Sequence, residues 1–113
     1  MNCIFCKIAQ RLMPTDLIFE DEDCIAFRDI APQAPQHLLI IPKKHIHSLE
    51  HTDHEDQLLL GKLLLIAQKI ARDLGHHEKG YRIVLNTGEN GGQTVSHIHL
   101  HLLAGKSMTW PPG

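Results

Sequence analysis

The sequence predicts a single domain of the α+β class, and three observations support this. Its 113 residues suffice for one hydrophobic core but not for two. Several short segments have the composition of strands, and one long segment between them has apolar residues at helical spacing. We expect the domain to occupy residues 1–113, with residues 104–113 as a tail, because Trp-Pro-Pro-Gly cannot continue a sheet.

Charge and apolar patterning argue against two classes of partner, nucleic acid duplexes and membranes. Lys and Arg number 11 against 13 Asp and Glu, a net charge of -2 with no dense basic run, so we expect no binding to duplex nucleic acid. No apolar stretch is long enough to span a bilayer, and no secretory leader is recognisable at the N-terminus. We therefore expect a soluble cytoplasmic protein with no membrane partner.

The N-terminal half predicts a short helix and three strands. Residues 4–13 have helical apolar spacing and end before Pro14. Residues 17–19 and 24–27 flank an acidic turn and predict a hairpin. After a loop with two prolines, residues 37–41 form an apolar run stopped by Pro42, which predicts a central strand.

The longest helix is predicted from three signals. Thr52-x-x-Glu55 fits a capping box at its start, and Gly75 is a plausible stop. Between them an apolar stripe recurs at helical spacing: Leu59, Leu63, Ile66, Ile70 and Leu74. A second stripe widens the apolar face, which favours self-association, although a deep seat within the protomer explains it nearly as well.

Residues 81–86 alternate as a strand, and residues 87–94 form a glycine-rich loop. Such a loop is either a hairpin turn or a cradle for a phosphate group. It is no P-loop, because it lacks the Gly-Lys-Ser/Thr ending and precedes a strand.

The most informative segment follows this loop, where His97, His99 and His101 alternate with large apolar residues. In a strand the three imidazoles share one face and the apolar residues the other, so the apolar face can be buried and the imidazole face left free. Function is favoured over a merely polar strand face, because three buried histidines need three separate partners. Metal binding and catalysis both remain open on this pattern.

The cysteines suggest a second site. Cys3 and Cys6 form a C-x-x-C pair, which is a redox couple, an accident, or half of a tetrahedral zinc site completed by histidines. Cys24 lies in a strand-like run and is expected to be a small buried apolar residue.

The segment 97–103 resembles the H-x-H-x-H-x-x signature of the histidine triad (HIT) superfamily of nucleotide hydrolases and transferases. Other segments resemble its histidine triad nucleotide-binding branch, the adenosine phosphoramidases: residues 29–35, His37, residues 41–46, 80–82 and 91–93, and the Trp-Pro-Pro-Gly ending. The resemblance implies a five-stranded antiparallel sheet with one long and one short helix, pairing into a ten-stranded homodimer.

The same resemblance implies a hydrolase that releases nucleoside monophosphate from purine nucleoside phosphoramidates, adenosine 5′-phosphoramidates in particular. His99 would be the nucleophile, forming a nucleotidyl-histidine intermediate without a catalytic cofactor, and His101 a proton or hydrogen-bond donor. The other implied catalytic residues are His37, Thr94 and His97. The implied substrate-binding residues are Asp29 for the ribose, Phe5, Phe27, Ile30 and Leu39 for the base, Asn86, the amides of Gly92 and Gln93 for the phosphate, and Trp110 from the partner protomer.

Some superfamily members with this C-x-x-C pair bind structural zinc, which here implies Cys3, Cys6, His45 and His97 as ligands.

Two features depart from the branch: Thr94 stands where animal members have serine, and Ser96 where an aromatic residue is usual. The alternatives are a dinucleoside polyphosphate hydrolase or nucleotidyltransferase, and a nucleotide-binding regulatory module with incidental hydrolysis. The C-terminal Trp-Pro-Pro-Gly favours the phosphoramidase.

Overall fold

The computed structural model describes residues 3–113. Within them the chain forms two α-helices and five strands in mixed order. The elements are α1 (Ile4–Ala9), β1 (Leu17–Glu20), β2 (Cys24–Arg28), β3 (Gln36–Pro42), α2 (Gln57–Asp73), β4 (Arg82–Val84) and β5 (Leu100–Ala104).

The strands form one antiparallel sheet in the order β1-β2-β3-β5-β4. The predicted α+β class, the five-stranded antiparallel sheet, the first hairpin and the central position of β3 are therefore confirmed. β3 is buried along six of its seven residues, because it has a strand on each side and a helix against each face. A strand covered on both faces needs a continuous apolar sequence, as residues 37–41 have.

Alternate residues of β3 belong to two separate cores. Leu38 and Ile40 pack with the buried side of α2, and Leu39 and Ile41 pack with α1. The predicted apolar stripe of α2 faces the sheet, with Leu63, Ile66 and Ile70 buried and Leu59 and Leu74 packed at its edge. The long helix thus covers one face of the sheet and leaves the other face to α1.

The N-terminal helix ends at Ala9, four residues earlier than predicted. The Arg11 backbone adopts a left-handed conformation with φ 62°, and the Leu12 amide donates to the Lys7 carbonyl across 2.8 Å. This local closure satisfies carbonyls of the last turn and ends the helix before Pro14 is reached.

The predicted capping box at Thr52 and Glu55 is wrong. The Thr52 hydroxyl donates to the Leu49 carbonyl in a preceding 3₁₀ turn. The box is formed one residue later and caps the 3₁₀ turn His54–Asp56 that precedes α2: Asp53 accepts from the Glu55 amide, and Asp56 accepts from the Asp53 amide. Carboxylates bind these amides more strongly than a hydroxyl does, and α2 begins at Gln57.

The predicted stop of α2 is confirmed. Gly75 follows the end of the helix in the left-handed region, with φ 83°, and its amide donates to the Arg72 carbonyl. None of the helices in residues 3–113 has the length and apolar character needed to cross a membrane.

Candidate active site

Two of the predicted catalytic histidines meet on the sheet face that carries α1. His37 lies in β3 opposite Leu103, and His101 lies in β5 opposite Leu39, so the two histidines are diagonal neighbours on adjacent strands. His37 Nε2 is 2.9 Å from His101 Nδ1 and 3.4 Å from the Asp29 carboxylate. Three side chains that are distant in sequence thus form one hydrogen-bonded group.

Both histidines are held in the neutral state. Burial lowers the pKa of His37, although the Asp29 carboxylate opposes this shift. Burial also lowers the pKa of His101 to about 4, assisted by the neighbouring rings of His99 and His37. Near neutral pH each ring therefore has one N–H donor and one lone pair.

His97 and His99 precede β5, so the prediction of one strand from residue 97 is wrong. The ladder between β3 and β5 stops at the pair Ile40 and Leu100. Beyond that pair, the Pro42 carbonyl accepts from the side chain of His97 at 2.8 Å, and the Ile98 amide donates to the Ile46 carbonyl. The backbone groups near the end of β3 are therefore used by other partners.

The sequence predicts that the imidazole face is left free, and this prediction is wrong for His97 and His99. His97 is fully buried, and His99 is only 3% exposed. The Phe5 ring of α1 packs edge-on against His99, with ring centroids 5.1 Å apart, and against His97 at 6.0 Å. A short helix therefore shields the histidines from bulk water.

The ring orientation of His99 is set by the backbone. Its Nδ1 is 2.8 Å from the His97 carbonyl oxygen, which can only accept, so Nδ1 carries the proton. The neutral ring then has its lone pair on Nε2. This tautomer is the one that a nucleophilic imidazole needs.

The four residues of the predicted zinc site converge on one point. Their donor atoms all lie within 4.8 Å of one another. His97 Nδ1 is 3.4 Å from Cys3 Sγ, 3.6 Å from Cys6 Sγ and 3.2 Å from His45 Nδ1, and Cys6 Sγ is 3.2 Å from His45 Nδ1. Because His97 Nε2 donates to the Pro42 carbonyl, its Nδ1 has a free lone pair.

These separations fit a tetrahedral zinc ion. Zn–S bonds of about 2.3 Å and Zn–N bonds of about 2.0–2.1 Å place sulfur and nitrogen about 3.5 Å apart, and two nitrogens about 3.3 Å apart. Burial and the neighbouring Cys3 raise the pKa of the Cys6 thiol, so ionising Cys6 at neutral pH would require a cation beside it. The donor set of two thiols and two imidazoles is one that zinc prefers.

The glycine-rich loop is closed by its own hydrogen bonds. The Gly92 amide donates to the Glu89 carbonyl at 3.0 Å, and the Gln93 amide donates to the Gly88 carbonyl at 3.1 Å. Asn86 Nδ2 donates to the Gly91 carbonyl at 2.6 Å. In this conformation the predicted phosphate ligands are occupied, so their role remains a prediction that requires the loop to rearrange.

Gln93 has a structural role that the sequence did not reveal. Its side-chain oxygen accepts from the Gly88 amide, and its Nε2 donates to the carbonyls of His47 and Val95. The side chain thus joins both ends of the glycine loop to the segment after β3. No sequence pattern predicts that a glutamine side chain will link these segments by hydrogen bonds.

The predicted nucleoside-binding residues differ in accessibility. Phe5, Phe27 and Leu39 are at most 6% exposed and belong to the core beneath α1, whereas Ile30 is 97% exposed. Asp29 accepts from the Ala31 amide at 2.8 Å, so it caps the turn after β2 as well as facing His37. The contribution of these residues to nucleoside binding remains a prediction.

Thr94 and Trp110 are both exposed. The Arg82 guanidinium donates to the Thr109 carbonyl at 2.9 Å and thereby fastens the tail beside β4. The proposed roles of Thr94 at the leaving group and of Trp110 across a dimer remain predictions.

The fold and the histidine cluster together define a class. The HIT domain family matches residues 10–108, and the chain belongs to this family. It is 56% identical over 112 residues to an uncharacterized HIT-like protein of Synechococcus elongatus, covering 99% of this chain and 97% of that one.

Solved structures agree with this assignment. The chain is similar to a HIT family hydrolase from Legionella pneumophila Philadelphia 1, with 56% identity, a TM-score of 0.98, and coverage of 99% of this chain and 100% of that one. It is also similar to a histidine triad nucleotide-binding protein from Candida albicans, with 32% identity, a TM-score of 0.82, and coverage of 97% and 83%.

Proposed function

We propose that this protein hydrolyses purine nucleoside phosphoramidates, adenosine 5′-phosphoramidates in particular, through a nucleotidyl-histidine intermediate. The observation that carries the proposal is the hydrogen bond from His99 Nδ1 to the His97 carbonyl, which leaves Nε2 as a nucleophile. Family membership and the names of the Legionella hydrolase and the Candida nucleotide-binding protein support it.

In the first step, the Nε2 lone pair of His99 attacks the α-phosphorus. A new P–N bond forms to the histidine while the P–N bond to the leaving amine breaks, and the amine takes up a proton. His101 is beside His99, with ring centroids 5.0 Å apart, and supplies a hydrogen bond as charge develops, while the proton on the amine comes from water. Thr94 would assist the same leaving group through its hydroxyl.

In the second step, water attacks the phosphorus and the P–N bond to His99 breaks. The oxygen of the water stays on the nucleoside monophosphate, and its proton restores the protonation state of the site. This chemistry requires one nucleophilic imidazole and nearby donors, which His99, His101 and His37 provide. No catalytic cofactor is part of the proposal.

A substrate comparison tests the proposal against its alternatives. Wild type, His99→Ala and the exposed control His77→Ala are incubated with adenosine 5′-phosphoramidate, a nucleoside–lysine phosphoramidate and diadenosine triphosphate. We expect monophosphate release from the phosphoramidates by wild type and His77→Ala, and a loss of at least about a thousand-fold in His99→Ala. Faster cleavage of diadenosine triphosphate favours the polyphosphate hydrolase, and nucleotide binding without any cleavage favours the regulatory module.

We also propose that Cys3, Cys6, His45 and His97 hold a structural zinc ion. The ion would join the start of α1 to the segments around residues 45 and 97. Because α1 supplies the Phe5 ring that packs on His99, this cross-link would stabilise the position of α1 over the proposed active site. The zinc would take no part in the reaction itself.

The homodimer is proposed from an exposed surface of α2. Leu58 is 88% exposed and Leu65 is 64% exposed, and with Gly61 between them they lie on one side of the helix at intervals of three and four residues. Sedimentation velocity at micromolar concentration should give a dimer, and Leu58→Glu should weaken it. A monomeric wild-type protein rejects the proposal.

A further inference from the structure

The loop between β2 and β3 contributes a backbone group to the histidine cluster. The Gln33 amide donates to His37 Nδ1, with a nitrogen–nitrogen distance of 3.0 Å. A backbone N–H can only donate, so His37 Nδ1 must be an acceptor without a proton. The neutral His37 ring therefore carries its one proton on Nε2.

This assignment determines the next ring. His37 Nε2 is 2.9 Å from His101 Nδ1, and the N–H on Nε2 makes His37 the donor in that pair. His101 Nδ1 is then the acceptor, and the single proton of the neutral His101 ring lies on its Nε2. The order of donors and acceptors is thus set from the Gln33 amide through two imidazoles.

We propose that Gln33 is a positioning residue, whose backbone amide fixes the tautomer of His37 and, through it, makes His101 offer Nε2–H to the phosphate or the leaving group. The catalytic consequence rests on the proposed hydrolase function. The tautomers themselves do not depend on it.

A metal ion held by the same residues is the competing explanation. Donor atoms of Asp29, His37 and His101 lie within 4.8 Å of one another. However, a metal on His37 Nε2 would require a lone pair there while Nδ1 still accepts from Gln33. That ring would be an imidazolate anion, so the geometry favours a hydrogen-bonded chain.

The amide also opposes protonation of His37. Among residues 3–113, the titratable groups that face this ring are the Asp29 carboxylate and the His101 imidazole. Without the Gln33 N–H, Nδ1 is free to take a second proton, which the carboxylate stabilises. Loss of the amide donor should therefore raise the pKa of His37 as well as mix the tautomers.

A pair of substitutions separates the amide from the side chain. Gln33→Pro removes the N–H, whereas Gln33→Ala keeps it and removes only the side chain, whose Nε2 donates to the Ala31 carbonyl. We expect Gln33→Pro to lower kcat by about ten-fold or more with little change in KM, and to move the acidic limb of the pH profile upward. Gln33→Ala should behave as wild type.

A double-mutant comparison distinguishes a lost hydrogen-bond donor from a distorted loop. In His37→Gln the side-chain amide is a donor whatever happens at its other end, so it does not need Gln33 to fix its proton. Adding Gln33→Pro to His37→Gln should therefore cost nothing further. A second loss of the same size as in wild type would contradict the proposal.

Nitrogen-15 NMR of the histidine rings tests the tautomers without any substrate. Wild type should show the proton on Nε2 of both His37 and His101, and Gln33→Pro should show a mixture at His37. A proton on Nδ1 of His37 in wild type, or unchanged tautomers in Gln33→Pro, would overturn the proposal. An inactive wild type with the expected tautomers would reject only the hydrolase function.

Discussion

The backbone of His97 holds His99 while the side chain of His97 faces the cysteines. The His97 carbonyl accepts from His99 Nδ1 at 2.8 Å, and the His97 ring presents Nδ1 to Cys3 at 3.4 Å. His97 thus belongs to the proposed zinc site through its ring and orients the proposed nucleophile through its carbonyl. We expect removal of the metal to alter the orientation of the His99 ring.

Removal of a proposed zinc ligand should destabilise the protein. We expect Cys3→Ser to abolish near-stoichiometric zinc binding and to lower the free energy of unfolding by at least about 2.7 kcal/mol, the effect of free zinc at a hundred times its Kd. Elemental analysis and chemical denaturation with and without a chelator measure this. Cys24→Ala is the matched control, because Cys24 lies in the core on the α2 side and should retain zinc. Wild type prepared without chelator and lacking zinc would contradict the site.

Acidification should destabilise the fold, partly through His101. Burial and the neighbouring His99 and His37 lower its pKa from 6.5 to about 4. The unfolded chain therefore binds a proton first as the pH falls below 6.5, and the stability present above that pH is lost progressively until about 4. The loss from this group between pH 7 and 5 should be about 2 kcal/mol.

Urea unfolding of wild type and His101→Asn at these two pH values measures the contribution of His101. Between pH 7 and pH 5 the free energy of unfolding of His101→Asn should fall by about 2 kcal/mol less than that of wild type. Equal pH dependence in the two proteins would show that the ring is not held neutral by burial.

A side chain at Gly91 should disrupt the glycine loop. A Cβ atom there would lie 2.3 Å from the Thr87 carbonyl oxygen, so the backbone has to shift and the hydrogen bond from Asn86 is strained. We expect Gly91→Ala to lower the free energy of unfolding by about 1–3 kcal/mol. Thermal unfolding provides the measurement.

Gly88→Asn is the control for this loop. Gly88 has φ 72° with open space around its Cβ position, and asparagine tolerates this conformation better than other residues. Gly88→Asn should lower the free energy of unfolding less than Gly91→Ala does. An equal loss in both variants would mean that the close approach at Gly91 is not what determines the loop.

The sheet and the long helix were predictable because burial imposes a period on the sequence. Leu38 to Ile41 are apolar without interruption since β3 is covered on both faces, and α2 shows its buried stripe directly. The start of α2 was misplaced because Thr52 and Asp53 are both capping residues one position apart, and only their partners decide between them.

The site was predictable from side chains and not from the backbone. The histidines and cysteines were identified from their spacing, and the structure brings the four proposed zinc ligands together. The carbonyls of Pro42 and His97 and the amide of Gln33 have no signature in sequence, since every residue carries such groups. They decide which nitrogen of each ring carries the proton, and the fold alone places them.

The most direct test of the account is the location of the covalent intermediate. Wild type is mixed with adenosine 5′-phosphoramidate, quenched within one turnover at alkaline pH, digested and examined by mass spectrometry. We predict an adenylyl group on His99, and neither this adduct nor monophosphate release in His99→Ala. An adenylyl group on another residue, or undiminished release by His99→Ala, would contradict the account.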